Sequence, residues 1–291
     1  MNLQKSLRIK RNYPLKDITT IKIGGVAQFF STPRNLIQLR AILSWADKKS
    51  ISVFVIGAGS NLLVSDKGIK GIVLKLSSTG FKNIAFKGNS IKAGSGVTLA
   101  SLVKFALSKS LSGIEFLCGI PGTLGGALIM NAGCWGKSIG DMVNKVEAMD
   151  LKGNIIKLSR EDAKFGYRKS GLKNYILLSA GIRLKKGNRE IIRRNIKDYL
   201  LKRRKSQDFT FYNAGCIFKN PKVMPAGKLI ELCGLKGRAK GGAFISNKHA
   251  NFILNKGKAK ACDVLSLMKL MKMKVKRKFG VVLEPEIRVW R

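Results

Sequence analysis

The stretch "VFVIGAGSNLLVSD", Val53 to Asp66, is where the fold is decided. A short apolar run rich in β-branched and aromatic residues, "VFVI", reads as a strand, enters the glycine turn "GAGSN", and continues into a second apolar run, "LLV". Backbone N–H groups in such a turn converge on an anion, most often a phosphate. The turn is a near miss for the dinucleotide fingerprint G-x-G-x-x-G: Leu62 stands where the third glycine belongs, and "KLSST", about twenty residues on, offers no acid for a ribose. A Rossmann domain is therefore disfavoured. A second glycine-rich run, "GIPGTLGGALIMNAG", follows about sixty residues later, with Gly119, Gly122, Gly125, Gly126 and Gly133 set among small and apolar residues. One glycine loop is weak evidence, but two beside strands point to a long anion such as a pyrophosphate held between two lobes.

Outward from these turns the chain alternates short strands with helices. Leu36, Leu39, Ile42, Leu43 and Ala46 have helical spacing within Pro33–Ile51, and a second helix is expected over about Leu99 to Ser108. Strands are expected at "GIVLKLS", "NIAFKG", "KVEAMDL", "NIIKLS" and "YILLSAGIRL", the third and fourth joined by a Lys-Gly-Asn turn. The pattern changes near Gly187. There "NREIIRRNIKDYLLKRRKSQ" is a charged amphipathic helix that reads as a connection to another domain. A last helix is expected from about Ala259 to Lys278, with Gly280 as its stop. In the terminal run "VVLEPEIRVW" strict alternation predicts a strand, with Val281, Leu283, Ile287 and Val289 on one face and Glu284, Glu286 and Arg288 on the other.

The chain has 291 residues, 45% hydrophobic and 25% charged, enough for one large or two to three small domains. No apolar run approaches the roughly 18 to 20 residues of a membrane span, and the basic start "MNLQKSLRIKRNYPLK" has no apolar core behind it, so a cytoplasmic location without membrane contact is expected. Five scattered cysteines without a C-x-x-C pair, and one histidine, His249, favour neither a disulfide framework nor a metal centre. The formal charge of +40, from 56 Lys+Arg against 16 Asp+Glu, invites a nucleic-acid reading. Its distribution argues otherwise, because lysines fall in turns, helix faces and loops rather than in one stripe, and a general bias toward Lys, Ile and Asn accounts for it. Small anionic ligands would still be favoured, and nucleic acid is not expected as a partner.

The stretch "NAGCIFKNP", Asn213 to Pro221, places a thiol, Cys216, after a flexible Ala-Gly pair and ahead of a Lys-Asn-Pro corner. The residues alone allow two roles for it: a small hydrophobe filling a gap, or a proton-active group presented to a ligand. Likewise Glu284 and Glu286 cannot be ranked against each other from their setting, and Arg168 in "FGYRKS" is one of many basic residues.

Eight ordered blocks bear on these choices: "TTIKIGG", "GAGSNLLVSD", "GIPGTLGGALIMNAG", "FGYRKS", "AGCIFKNP", "AGKLIELCGLKG", "GGAFISNKHANFILN" and "LEPEIR". From about Tyr13 to the end, this sequence resembles the UDP-N-acetylenolpyruvoylglucosamine reductases of bacterial cell-wall synthesis. The resemblance implies an α+β chain: a two-subdomain FAD-binding fold of the vanillyl-alcohol-oxidase (PCMH) type over residues 1–187, dividing near residue 76, then a smaller α/β substrate-binding domain over 188–291. The short chain between Arg183 and Asn213 resembles the class without an extra substrate-covering loop. The implied enzyme is a monomer that uses NADPH and FAD to reduce UDP-N-acetylglucosamine enolpyruvate to UDP-N-acetylmuramate for peptidoglycan. Hydride passes from FAD N5 to C3 of the enolpyruvyl group, and a proton is added at C2.

By the same resemblance Arg168 matches the arginine that stabilises the developing charge, Glu286 the catalytic glutamate, and Cys216 the position where many members carry the serine that protonates C2. A thiol with a reference pKa of roughly 8.5 is mostly protonated at neutral pH and is a better acid than a hydroxyl, so the departure from serine is chemically mild. Gly57, Ala58, Gly59, Ser60 and Asn61 in the first turn, and Gly119, Pro121, Gly122, Gly125, Gly126, Asn131 and Ala132 in the second, are expected to hold FAD. Lys219, Asn220 and Asn251 are expected to meet substrate. No histidine precedes His249, so the FAD is expected to be dissociable. Two other readings differ in class or reaction: a basic nucleic-acid-binding protein without flavin, and an FAD oxidase that turns over with molecular oxygen.

Overall fold

The computed structural model describes residues 6–291; the beginning of the first expected subdomain, residues 1–5, lies outside the described residues. Contacts group the chain into two compact units, one of residues up to Arg11, Phe29–Ala58 and Gly71–Arg203, the other of Asn12–Gln28, Gly59–Lys70 and Arg204–Arg291. The helix Arg189–Ser206 thus groups with the first unit as far as Arg203.

The first unit is organised around a five-stranded antiparallel sheet in the order Ile155–Ser159, Val143–Met149, Ile176–Arg183, Ser90–Gly94, Ile84–Lys87. Its central strand Ile176–Arg183 is buried at every position but the last, which is why "ILLSAGI", interrupted only by Ser179, reads as a nearly continuous apolar run instead of an alternation. Successive side chains serve opposite faces except where the register shifts between the pairs Ala148↔Leu177 and Glu147↔Ser179, which changes the phase of the alternation. Leu177, Ala180 and Ile182 join a core that includes Leu102, Phe116 and Leu128, while Ile176 and Leu178 join a second core with Leu39, Ile42 and Trp45 of the helix Leu36–Asp47. That helix begins where expected, the Asn35 side chain accepting from the Gln38 N–H. The strand Val53–Ile56, which leads into the first glycine turn, pairs in parallel with Ile69–Lys75 from Val53↔Ile72 to Ile56↔Lys75.

The second unit has an antiparallel sheet in the order Tyr212–Cys216, Phe252–Asn255, Ala243–Ile245, Ala239–Lys240. Its core takes Val264, Leu267, Met271 and Val275 from the helix Ala261–Phe279 and Leu229 and Ile230 from the helix Ala226–Leu232. Early segments are tied into it by side chains. Asp66 accepts from the N–H groups of Ala261 (2.8 Å) and Cys262 (3.1 Å), and Asn255 donates to the Ile21 carbonyl at 2.8 Å. The short strand Leu62–Val64 pairs in parallel with the terminal strand Arg288–Trp290.

One expectation fails here. The alternating run Val281–Val289 forms a strand only at Arg288–Trp290, although Leu283 and Ile287 are buried as its pattern implies. Pro285 supplies no N–H to a ladder, and the segment around it pairs only with the chain near Phe218. Glu284 and Glu286 are consequently carried on an irregular segment and do not share one strand face with Arg288.

The last helix does stop at Gly280, whose φ of 68° is left-handed and whose N–H returns to the Lys276 carbonyl. A Cβ at Gly280 would meet nothing within 4 Å, so substitution costs backbone strain alone. Gly280→Ala is expected to destabilise the protein by about 1 kcal/mol and Gly280→Asn by less, because Asn tolerates this conformation. Urea unfolding of the three proteins checks the order, and an equal cost for both variants would contradict the strain argument.

Candidate active site

In the first unit the second glycine run meets the segment that starts at Gly94. The Gly125 N–H donates to the Ser95 carbonyl (2.9 Å), Leu124 N–H to Val97 (2.8 Å) and Leu99 N–H to Gly122 (3.0 Å). Thr123 caps the short helix Leu124–Ile129, its hydroxyl accepting from the Gly126 N–H at 3.4 Å. That same hydroxyl fills the space beside Gly57: a Cβ there would stand 2.6 Å from Thr123 Oγ1. Gly57, Gly125 and Gly126 therefore give a backbone-lined cradle that side chains would close. Beneath it Ser95, 4% exposed, has a buried hydroxyl with no hydrogen-bond partner among the described residues. A buried polar atom in this position is out of place in a sealed core and suits a site completed by a polar ligand. The cradle thus fits an anionic group such as the pyrophosphate of FAD.

The remaining residues of the two runs divide by role. Gly57 and Ala58 fall in the first unit, and Gly59, Ser60 and Asn61 in the second. Gly119, with a φ of 70°, has the side chains of Leu200 and Arg203 beside it, leaving 3.0 Å for a Cβ. Pro121 is exposed and Gly122 half-buried. The end of the second run carries a different part of the site. Asn131, 7% exposed, donates to the Gly166 carbonyl (3.0 Å) and accepts from the Gly140 N–H (2.9 Å). The Ala132 N–H donates to Ala127 (2.8 Å) and its carbonyl accepts from Ile139 (2.9 Å). The polar groups of both residues brace the neighbourhood of Arg168.

Arg168 sits in a tight turn closed by Gly166 N–H to Lys169 carbonyl (3.0 Å) and the reverse bond (3.2 Å). Its φ is 54°, a conformation uncommon for a side chain of this size and held here by the turn and by Asn131. Its guanidinium donates from Nη1 to the Gly133 carbonyl at 2.8 Å and stands 5.3 Å from the Tyr167 ring centre. The second glycine run therefore both forms the cradle and aims the arginine.

In the second unit Cys216 closes the strand Tyr212–Cys216 opposite Phe252, after an irregularity in register at Gly215, φ 73°. It is half-buried, unlike Cys118, which burial keeps as a thiol inside the core. The next residue, Ile217, accepts from the Glu286 N–H at 2.8 Å. Cys216 and Glu286 are thereby on adjacent segments. Thr20 of the block "TTIKIGG" holds the first glycine turn to this strand, its hydroxyl donating to the Asn213 carbonyl (2.7 Å) and its N–H to the Gly59 carbonyl (3.2 Å). Asn61 donates from Nδ2 to the Glu286 carbonyl at 3.1 Å.

The expected substrate residues are placed unequally. The Lys219 ammonium lies 3.1 Å from the Glu284 carboxylate. Asn220 accepts from the Ala226 N–H at the start of the helix Ala226–Leu232. Asn251 is 1% exposed and bridges both backbone groups of Phe218, accepting from its N–H (2.9 Å) and donating to its carbonyl (2.7 Å). Its structural work is to align the Cys216 segment. Sequence reasoning missed Ser95 and Thr123. Thr123 lay inside a quoted motif, and the Gly-Ser-Gly of residues 94–96 was the signal for Ser95.

Comparison with known proteins bears on this arrangement. A model of the C-terminal domain of UDP-N-acetylenolpyruvoylglucosamine reductases matches residues 207–290, and one of an FAD-binding domain matches residues 27–159. The chain is 43% identical over 287 residues to a UDP-N-acetylenolpyruvoylglucosamine reductase of Caldanaerobacter subterraneus, covering 98% of this chain and 94% of that protein. The crystal structure of the reductase of Thermus caldophilus superposes with a TM-score of 0.84 at 36% identity, over 97% of this chain and 98% of the other. A glucose dehydrogenase, Phl p 4.0202, shares only the fold, with a TM-score of 0.50 at 14% identity over 65% of this chain and 45% of its own. The fold class is therefore the α+β one expected, a vanillyl-alcohol-oxidase-type FAD-binding fold with a smaller C-terminal domain.

Two outcomes follow from the geometry. Gly57→Ala forces Thr123 to turn away from the Gly126 N–H, and FAD affinity is expected to fall at least about tenfold, roughly 1.4 kcal/mol. Fluorescence titration of the flavin-free protein with FAD checks this, and unchanged affinity would remove Gly57 from the cradle. His249, whose Nδ1 accepts from the Asn251 N–H, has its pKa pushed down by burial. The unfolded chain then binds the extra proton first, so stability should fall as pH drops below about 6.5. His249→Gln should flatten that slope in unfolding measurements between pH 7 and 5.

Proposed function

The chain belongs to the UDP-N-acetylenolpyruvoylglucosamine reductases, FAD-dependent oxidoreductases, and on that premise we propose how its own residues carry out the reduction. The substrate is UDP-N-acetylglucosamine enolpyruvate, the electron donor is NADPH, and the product is UDP-N-acetylmuramate, a peptidoglycan precursor. When bound, FAD would supply hydride transfer between the nicotinamide and the enolpyruvyl group.

The cradle around Gly57, Gly125 and Gly126, bare of side chains, leaves room for the FAD pyrophosphate, and the Ser95 hydroxyl gains a partner there. Arg168 offers a planar fork to the substrate carboxylate as it takes on enolate character, and the turn that holds it limits the reorganisation needed. Cys216 Sγ–H donates the proton that C2 receives, and Glu286 assists at the same centre. The Lys219 ammonium and the Asn220 amide face the sugar and phosphates. With this reading go a domain division of 1–187 and 188–291, dissociable FAD, a monomeric state and a cytoplasmic location.

The observation that carries the reading is the 2.8 Å bond from the Glu286 N–H to the Ile217 carbonyl, which sets the proton donor and the glutamate on neighbouring segments. Under anaerobic conditions NADPH should bleach the visible absorbance of the FAD-loaded protein, and the enolpyruvyl sugar should restore it. In Cys216→Ala the bleaching should survive, while recovery slows by about 100- to 10,000-fold, the usual range for loss of a general acid. Full-speed recovery in that variant would remove Cys216 from the mechanism, and steady turnover with oxygen alone would favour an oxidase.

A further inference from the structure

Glu286 has no regular secondary structure of its own, since it follows Pro285 and the terminal strand begins only at Arg288. Its direction is nonetheless fixed, because both peptide groups flanking its Cα are held. The 285–286 peptide is held through the Glu286 N–H, which donates to the Ile217 carbonyl at 2.8 Å. The 286–287 peptide is held through the Glu286 carbonyl, which accepts from Asn61 Nδ2 at 3.1 Å, and at longer range through the Ile287 N–H, which donates to the Ile217 carbonyl at 3.4 Å. Asn61 grips the same segment a second time, its own carbonyl accepting from the Arg288 N–H at 3.0 Å. From that point Leu62–Val64 runs in register with Arg288–Trp290. Rotation about ψ of Glu286, which would turn the carboxylate relative to the terminal strand, requires breaking the side-chain bond to Asn61, the shorter of the two bonds on that peptide.

We propose that Asn61 is the positioning residue for Glu286: its amide donor, acting on the Glu286 carbonyl, sets where that carboxylate stands during reduction of the substrate. This rests on the catalytic reading of Glu286 given above. The role goes beyond holding flavin, the part expected of the glycine turn, and it explains why an amide is required. A carboxylate of the same shape would turn an oxygen lone pair on the carbonyl and repel it, so isosteric Asp is excluded on chemical and not steric grounds.

The test is a double-mutant cycle on the oxidative half-reaction, with Asn61→Asp, Glu286→Gln and the pair. The rate of absorbance recovery with the enolpyruvyl sugar is divided by the rate of bleaching with NADPH in the same FAD-saturated preparation, so a general loss of flavin function cancels. Asn61→Asp should lower this ratio by about 10- to 100-fold, the scale expected of a misplaced catalytic group. In the Glu286→Gln background it should lower it no further. Independently of turnover, hydrogen exchange of the flavin-free protein should show faster exchange at the amides of residues 286–288 in Asn61→Asp and Asn61→Ala, with the helix Ala261–Phe279 unchanged. Faster exchange with an unaltered ratio would make Asn61 a structural tie only and overturn the proposal, as would losses that multiply in the double variant. If Glu286→Gln alone leaves the ratio at its original value, the catalytic reading of Glu286 fails first and the positioning role goes with it.

Discussion

The peptide of Ile217 is the point on which the second unit turns. Its N–H donates to the Asn251 carbonyl and its carbonyl accepts from Glu286, so one residue joins the strand of Cys216 to a loop before it in space and to the terminal segment beyond. Ile217 itself is fully buried, as is Phe218, whose two backbone groups are taken by the Asn251 amide. A bond shielded from water in this way is worth more than an exposed one and is costly to leave unmade. The half-buried Cys216 is thus presented from a rigid backing. Such a backing suits the proton transfer proposed for Cys216, which depends on approach within hydrogen-bond distance.

A comparable rule governs the first unit, where glycine and left-handed conformations are concentrated in the turns. Gly57 makes room for Thr123, and Arg168 accepts a positive φ because the turn from Gly166 to Lys169 and the Asn131 amide over-determine it. Neither arrangement is favourable by itself. The sheet behind them, with its central strand buried on both faces, supplies the stability that lets these turns depart from relaxed geometry.

The charge imbalance takes on a structural sense once the acids are located. With 16 acids against 56 bases, ion pairing cannot neutralise the surface, and the acids are used instead where backbone N–H groups need acceptors. Asp66 caps the helix Ala261–Phe279, while Asp141, Asp162 and Asp263 each accept from the N–H three residues earlier. Asp208, buried, accepts from Ser246 and from both groups of Thr210. Burial pushes its pKa up, but these hydrogen bonds outweigh that and hold its carboxyl below the usual range. Exposed pairs such as Arg193 with Glu190 add at most about 1 kcal/mol each. The surplus lysines are left to the solvent, where they favour anionic ligands without specifying one.

Periodicity and glycine placement were enough to determine the four longest helices and most strands of the five-stranded sheet, because these are written in residues close together in sequence. The stop at Gly280 and the helix from Leu99 to Ser108 are of this kind. Motif order was enough for the α+β class and the family; the two short helices and the strands of the second unit's sheet were not anticipated. The alternation of Val281 to Val289 misled because a period of two describes which residues are buried, and Leu283 and Ile287 are, without saying that a partner strand exists; Pro285 removes the donor that a ladder would need. The site was legible as a set of residue types but not as a division of labour. Asn61, Asn131 and Asn251 look alike in sequence, and each could as well have faced a ligand. Only the tertiary structure shows which backbone groups they satisfy, at Glu286, Gly166 and Phe218, since a hydrogen bond across 33 to 225 residues depends on geometry that no local pattern records.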